Sequence, residues 1–301
     1  MAGMRASLTG ELLLLGVVTV WGTTFVLVKE ALDVWPPFAL LVARFGLGSL
    51  PFVPLLLRRG AVDRRTLARG AILGALLFLT FAFQTLGLGL TSPSRSAFFS
   101  AVSVPLVPAI RFLMTREAPA RGTYVALLFA CAGIVLLLGR GLDPHVRAGD
   151  LLTLGCALTY AFAIIALADF SRTSPVMALT AVQLVVTALL AAATTAVLRE
   201  SPPAASDAYP AHILYLGIVA TALTILAQTA GQRRTSVNRA AFLFALEPVM
   251  AAIFAWIARG EVLTEREMIG GALLVVAAIV ADRPLGAKMH AREHERVTTS
   301  R

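Results

Sequence analysis

Glu247 stands about nine residues into an apolar block of roughly twenty, 238–258, with Pro248 beside it. A carboxylate at membrane depth is expensive and marks a functional candidate. Two roles fit it. It can take and release a proton, or it can accept hydrogen bonds from backbone groups freed by the proline break. Arg44 is the other charge deep within an apolar block. It can bind an anionic substrate group or pair with Glu247, and Glu30 or Asp33 near the end of the preceding block is a simpler partner. Arg111 lies close enough to a block end for its head to reach the surface. Trp21 and Tyr160 each sit near the middle of a block, although Trp prefers membrane interfaces. Each brings an apolar body and one polar handle. They can pack against neighbouring helices or form an aromatic wall for an apolar or zwitterionic solute.

A polar stripe accompanies them. Thr80, Gln84, Gly87 and Thr91 follow helical spacing, and Thr224, Gln228, Gly231 and Thr235 repeat it residue for residue. A buried amide needs a partner in lipid. The stripe therefore faces either other helices, as hydrogen-bonding glue, or a wet central path.

Other chemistry finds little support. His145, His212, His290 and His294 fall in loops or the tail, where they cannot serve a membrane-embedded Ser nucleophile. There is no H-E-x-x-H motif and no pair of carboxylates within one block. The glycines have no strand–loop–helix setting that would cradle a nucleotide. Cys131 and Cys156 lie inside apolar blocks and read as packing residues. No cofactor, metal or catalytic residue is expected.

The elements that carry these residues are set by composition. Of 301 residues, 58% are hydrophobic and 14% charged, against about 25% charged in an ordinary soluble domain. That excludes a soluble enzyme, a disordered chain and a disulfide scaffold. Ten apolar blocks, 8–29, 36–57, 70–90, 94–115, 122–139, 148–168, 175–198, 211–232, 238–258 and 268–282, are separated by charged or proline-rich breaks. Most reach the ~20 residues that cross a bilayer. The net charge of +9 comes from Arg and Lys between blocks, where it sets membrane orientation rather than a nucleic-acid face. With the N-terminus inside, 17 Lys and Arg fall on the inner side and 7 on the outer. Both termini are expected in the cytoplasm, with residues 284–301 a basic cytoplasmic tail.

The chain also repeats itself. Gly10-Glu11-Leu12-Leu13 matches Gly149-Asp150-Leu151-Leu152 at an offset of 139, which also pairs Trp21 with Tyr160. At an offset of 144, residues 79–101 match 223–245 at eleven positions, including Arg95 with Arg239. Glu117 and Glu261 pair likewise, and Glu247 falls opposite Ser103. Matched Gln, Thr, Arg and Glu are not the cheap coincidences of apolar sequence. Each half, 8–142 and 148–283, holds five blocks. Five is odd, so the second half enters the membrane from the opposite side. The expected fold is all-α, with ten membrane helices as two inverted five-helix repeats. Many secondary transporters are built on this plan, with substrate near the midplane.

On these residues the chain resembles the EamA type of the drug/metabolite transporter superfamily. The resemblance is carried by Trp21-Gly22-Thr23-Thr24-Phe25, Arg44, Gln84-Thr85-Leu86-Gly87-Leu88 with Thr91-Ser92-Pro93-Ser94, and Val107-Pro108 ahead of Arg116-Glu117. Leu246-Glu247-Pro248-Val249 and Arg259-Gly260-Glu261 complete it. It covers about residues 8–283 and implies a ten-helix carrier in a bacterial-type inner membrane. Such a carrier would export a small organic metabolite, amino-acid-like or drug-like, by alternating access. The rivals are an intramembrane lipid-modifying enzyme and a non-transporting membrane partner or sensor. The substrate and the coupling ion are not read from these residues, nor is the oligomeric state, and the Arg233-Arg234-Arg239 cluster has no assigned role.

Overall fold

The computed structural model describes residues 2–58, 60–138, 148–204, 209–259 and 264–281, with the side chains of 2–7, 94, 138, 255, 258 and 259 excepted. Every regular element among them is helical. A first rod joins α1 (Ala2–Gly22) to α2 (Thr24–Ala31). A second joins α3 (Pro37–Ser49), a 3-10 turn (Leu50–Phe52) and α4 (Val53–Leu56). Then follow α5 (Arg64–Leu90), the pair α6 (Pro93–Ser100) and α7 (Ser103–Thr115), and α8 (Arg121–Leu138). The second half holds α9 (Ala148–Ser171), α10 (Val176–Leu198), and a rod of α11 (Pro210–Leu214), a π-helix (Tyr215–Leu223) and α12 (Thr224–Gln232). The pair α13 (Val237–Phe244) and α14 (Glu247–Arg259) and, last, α15 (Glu265–Val280) complete it.

Eight of these rods are long and apolar enough to cross a bilayer, and α8 and α15 are shorter. Leu12, Leu128, Leu189, Val197 and Ile257 stand exposed on the outer faces, as helices facing lipid require. The third rod starts earlier than its apolar block. Asp63 caps α5 by accepting from the Thr66 backbone, so a polar first turn precedes the apolar run. The Thr66 hydroxyl, by hydrogen bonding, holds the Asp63 carboxyl below its ordinary range. Residues 139–147, Glu261 and the tail from 282 lie outside the described residues.

Several blocks that read as continuous are broken. The first rod kinks at Thr23 and the second at its 3-10 turn, which contains Pro51. The fourth breaks at Ala101–Val102 and the ninth at Ala245–Leu246. The eighth is π-helical over nine residues.

The main contacts between the halves come in matched sets. α5 lies along α9, and α12 lies along α1. α6 and α7 meet α9, and α13 and α14 meet α1. α5 packs on α10, and the π-helix packs on α3. α8 pairs with α15. Glycines set the closest approaches, as they do between membrane helices. A Cβ on Gly87 would fall 2.5 Å from Thr153 Oγ1 and 2.9 Å from the Gly149 carbonyl. A Cβ on Gly231 would fall 2.9 Å from Leu14 and 3.0 Å from the Gly10 carbonyl. The glycines that match in sequence thus stand at matching crossings.

Two cations need correction. Arg95 and Arg239, at the starts of the fourth and ninth apolar blocks and included in the 7 and the 17 counted above, sit in the first turns of α6 and α13, and Arg95 is buried. Arg95 pairs with Asp150 and Arg239 with Glu11. Arg239 also donates to the carbonyls of Ala278 and Ile279 at the end of α15, where cations are favoured. Arg233 and Arg234 remain exposed.

Candidate functional site

The helix breaks at Thr23, Ala101–Val102 and Ala245–Leu246 meet around one central cavity of about 50 Å³. Trp21, Thr80, Gln84, Tyr160, Arg44 and Glu247 line it. These six expected site residues, scattered over the sequence, are brought together. Phe81, Phe244, Cys156 and Ser103 also line it and were not singled out for it. Cys156 is buried there while Cys131 faces outward.

Trp21 is held from behind. Its indole N–H donates to Thr224 Oγ1 at 3.0 Å and to the Ala220 carbonyl at 3.2 Å. Tyr160 is held in the corresponding way, its hydroxyl accepting from Gln228 Nε2 at 3.4 Å. The two rings meet edge-on at 6.1 Å, and both lie against Phe244. The polar stripe therefore divides by role. Thr80 and Gln84 face the cavity, while Thr224 and Gln228 orient its aromatic residues. Thr91 and Thr235 are buried near the glycine crossings, with Thr235 bonded to the Gly231 carbonyl.

Arg44 is not partnered by Glu30 or Asp33. Glu30 lies 3.3 Å from His212. Arg44 instead donates from Nε to Thr221 Oγ1 at 2.8 Å and from Nη2 to the Ala220 carbonyl at 3.2 Å. Its guanidinium lies over the Phe81 ring at 4.5 Å, a cation–π contact. The acceptors come from the π-helix, whose looser bonding leaves carbonyls able to take outside donors. Packing locates an extra residue there. Gly217 meets Leu47 and the Arg44 carbonyl as Gly74 meets Val186 and the Gln183 carbonyl. Gly74 and Gly217 are one residue closer in number than Thr80 and Thr224. One residue has thus been accommodated between Gly217 and Thr224, and the π-helix absorbs it. The same register places Gln183 where the first half has Arg44, and Gln183 donates to Thr229.

Glu247 makes no hydrogen bond or ion pair among the described residues. The backbone groups next to Pro248 do not use its carboxylate as an acceptor. Nor does Glu247 lie within ion-pair distance of Arg44, although both line the cavity. The wall therefore presents one cation and one carboxylate, separated, between aromatic faces. No cluster of metal-ligating side chains occurs among the described residues.

A helical membrane bundle closed around a central, mainly apolar cavity with a few polar and charged groups has the build of a carrier. Comparison with known proteins gives the family. The EamA-like transporter family matches twice, over residues 8–139 and 147–281. A protein of Archaeoglobus fulgidus described as an uncharacterized transporter is 30% identical over 264 residues, covering 88% of this chain and 82% of its own length. The chain belongs to the EamA-like transporter family. A solved structure described only as that of a protein superposes with a TM-score of 0.74. It covers 92% of this chain and 97% of its own, at 24% identity, and shares the fold.

Proposed function

We propose that this membrane transporter carries a small zwitterionic solute of amino-acid type. Arg44 receives the carboxylate and Glu247 the ammonium group, between the rings of Trp21, Tyr160 and Phe244. The observation that carries this reading is the separation of Arg44 and Glu247 across one cavity wall. Unpaired charges at membrane depth are costly, and a zwitterion satisfies both at once. A neutral solute would leave the Glu247 carboxylate without a hydrogen-bonding partner and bring no carboxylate to Arg44.

Transport proceeds by alternating access in the export direction that the family resemblance implies. Ten helices cross a bacterial-type inner membrane as two inverted repeats, 8–142 and 148–283, with both termini in the cytoplasm. The matched packing of the halves and the two separate family matches support this plan. The division of Lys and Arg, 16 to 6 once Arg95 and Arg239 are set aside, supports the orientation.

The test is a thermal-shift screen of purified protein against amino acids, their amides, the matching amines and the matching deaminated acids. Amino acids should raise Tm most. Arg44→Gln should abolish the preference for acid over amide, and Glu247→Gln the preference for ammonium over its absence. Each loss should be about tenfold to a hundredfold in affinity, since a charged hydrogen bond contributes about 1.5–3 kcal/mol. Equal stabilisation by uncharged analogues, or both preferences surviving both substitutions, overturns the reading. Uptake into vesicles of known sidedness then reads direction.

A further inference from the structure

We infer that the ion pairs Arg95–Asp150 and Arg239–Glu11 are the two gate latches of the transporter, one at each end of the cavity, opened in turn. The inference rests on the transport reading above and adds the parts that move.

Each pair joins the two halves of the chain. Arg95 Nε and Nη2 both reach Asp150, each at 2.6 Å, so first-half α6 is tied to second-half α9. Arg239 Nε and Nη2 reach Glu11 at 3.1 and 2.8 Å, so second-half α13 is tied to first-half α1. Two parallel bonds from one guanidinium fix direction as well as distance. Glu11 matches Asp150, and Arg95 matches Arg239, at the two repeat offsets. A single pair repeated by duplication thus closes the molecule twice.

The two pairs lie at opposite ends. Lys29 at the end of the first rod donates to the carbonyls of Leu88 and Thr91, beside the start of α6 and hence Arg95. Glu11 is on the same rod, eighteen residues earlier, roughly 27 Å away at about 1.5 Å per residue. One latch therefore seals each side.

The arms that carry the arginines are built alike and hinged at cavity depth. α6 and α13 are each eight residues long. Ser92 caps α6 through the Arg95 N–H, and Ser236 caps α13 through the Arg239 N–H. Each arm ends at the same place in the repeat, with the Ala101 N–H bonded to the Ala97 carbonyl and the Ala245 N–H to the Ala241 carbonyl. Beyond those ends stand the cavity residues Ser103 and Glu247. Swinging α6 or α13 about such a break opens a path from one side to the cavity and leaves the other arm in place.

The latches differ in surroundings. The Arg95–Asp150 side chains are 8% and 0% exposed, and those of Arg239–Glu11 are 21% each. The inner latch is the wetter and, by that, the readier to open.

Cys156, which lines the cavity, is the reporter. In Cys131→Ser protein reconstituted in vesicles, a small charged methanethiosulfonate is applied from one side at a time, with no solute present. Asp150→Asn should raise the labelling rate of Cys156 at least fivefold from the Arg95 side. Glu11→Gln should do so from the opposite side. The exchanged pair Glu11→Arg with Arg239→Glu should return the rate toward that of the parent. Folding is checked by Tm, and Arg239→Gln and Arg95→Gln serve where an acidic-site variant fails to fold. Opening from the same side by both variants, or unchanged labelling in all of them, overturns the latch assignment. Failure of the amino-acid screen with opposite-sided labelling intact would instead fault the substrate.

Discussion

On the proposed function, Glu247 and Arg44 are the residues on which any coupling to protons would turn. Glu247 has no hydrogen-bonding neighbour among the described residues, so its carboxylate is free to hold either a proton or an ammonium group. One carboxylate that serves both in turn exchanges solute for proton. Ser103 at the matching place cannot do this, so the two halves share a plan but not a charge. Glu247→Gln should fold, bind solute about tenfold or more weakly, and still exchange solute for solute at raised concentration. It should lose accumulation driven by an imposed pH gradient. Gradient-driven uptake intact in that variant would leave Glu247 a binding group without a coupling role. At this scale much of the site was legible: Trp21, Tyr160, Arg44 and Glu247 stood out because polar or bulky groups at membrane depth need a reason. The partner of Arg44 was not legible. Its acceptors are a hydroxyl and a carbonyl of a π-helix, and a one-residue insertion in apolar sequence leaves no mark in hydropathy.

At the scale of elements, the glycine crossings hold the rods in register. Gly87 meets Thr153 and Gly149, whereas nothing lies within 4 Å of a Cβ on Gly89, two residues on. The pair gives an internal control on one helix. Gly87→Ala should lower stability by about 1–3 kcal/mol through overpacking, read as a fall in Tm in detergent. Gly231→Ala, at the matching crossing, should do the same. Gly89→Ala should be neutral or stabilising, because alanine is the better helix former. Equal effects at Gly87 and Gly89 would mean that the crossing is not a packing constraint. The rods themselves were legible to within a few residues, since an apolar run must end where polar groups reach water. Their breaks were legible only in part. Pro105 and Pro248, just past Ala101–Val102 and Ala245–Leu246, lack the N–H that would bond back into each break, but which turn of the rod gives way is decided by tertiary packing. Arg95 and Arg239 were misjudged for a related reason. A cation beside an apolar block reads as solvated until the acid that meets it, 55 or 228 residues away in the chain, is seen.

The whole molecule repeats one plan twice, and the proposal that the halves are inverted can be tested without solute. If the halves are inverted, residues at matched positions face opposite sides of the membrane. Leu90 and Arg234 match at the offset of 144, and both are exposed at rod ends. In a background lacking Cys131 and Cys156, Leu90→Cys should be labelled by an impermeant thiol reagent in intact cells, and Arg234→Cys should be protected until the membrane is permeabilised. Arg65→Cys, in the basic first turn of α5, should be protected, and Ser201→Cys, after α10, should be labelled. Basic turns stay on the cytoplasmic side because translocating Lys and Arg is disfavoured. The four positions separate two ideas. Reversal of all four would keep inversion and turn the molecule over, so the charge count would have misled. Labelling of Leu90→Cys and Arg234→Cys from one side would remove the inversion itself, and with it the reason for a latch at each end of a single cavity.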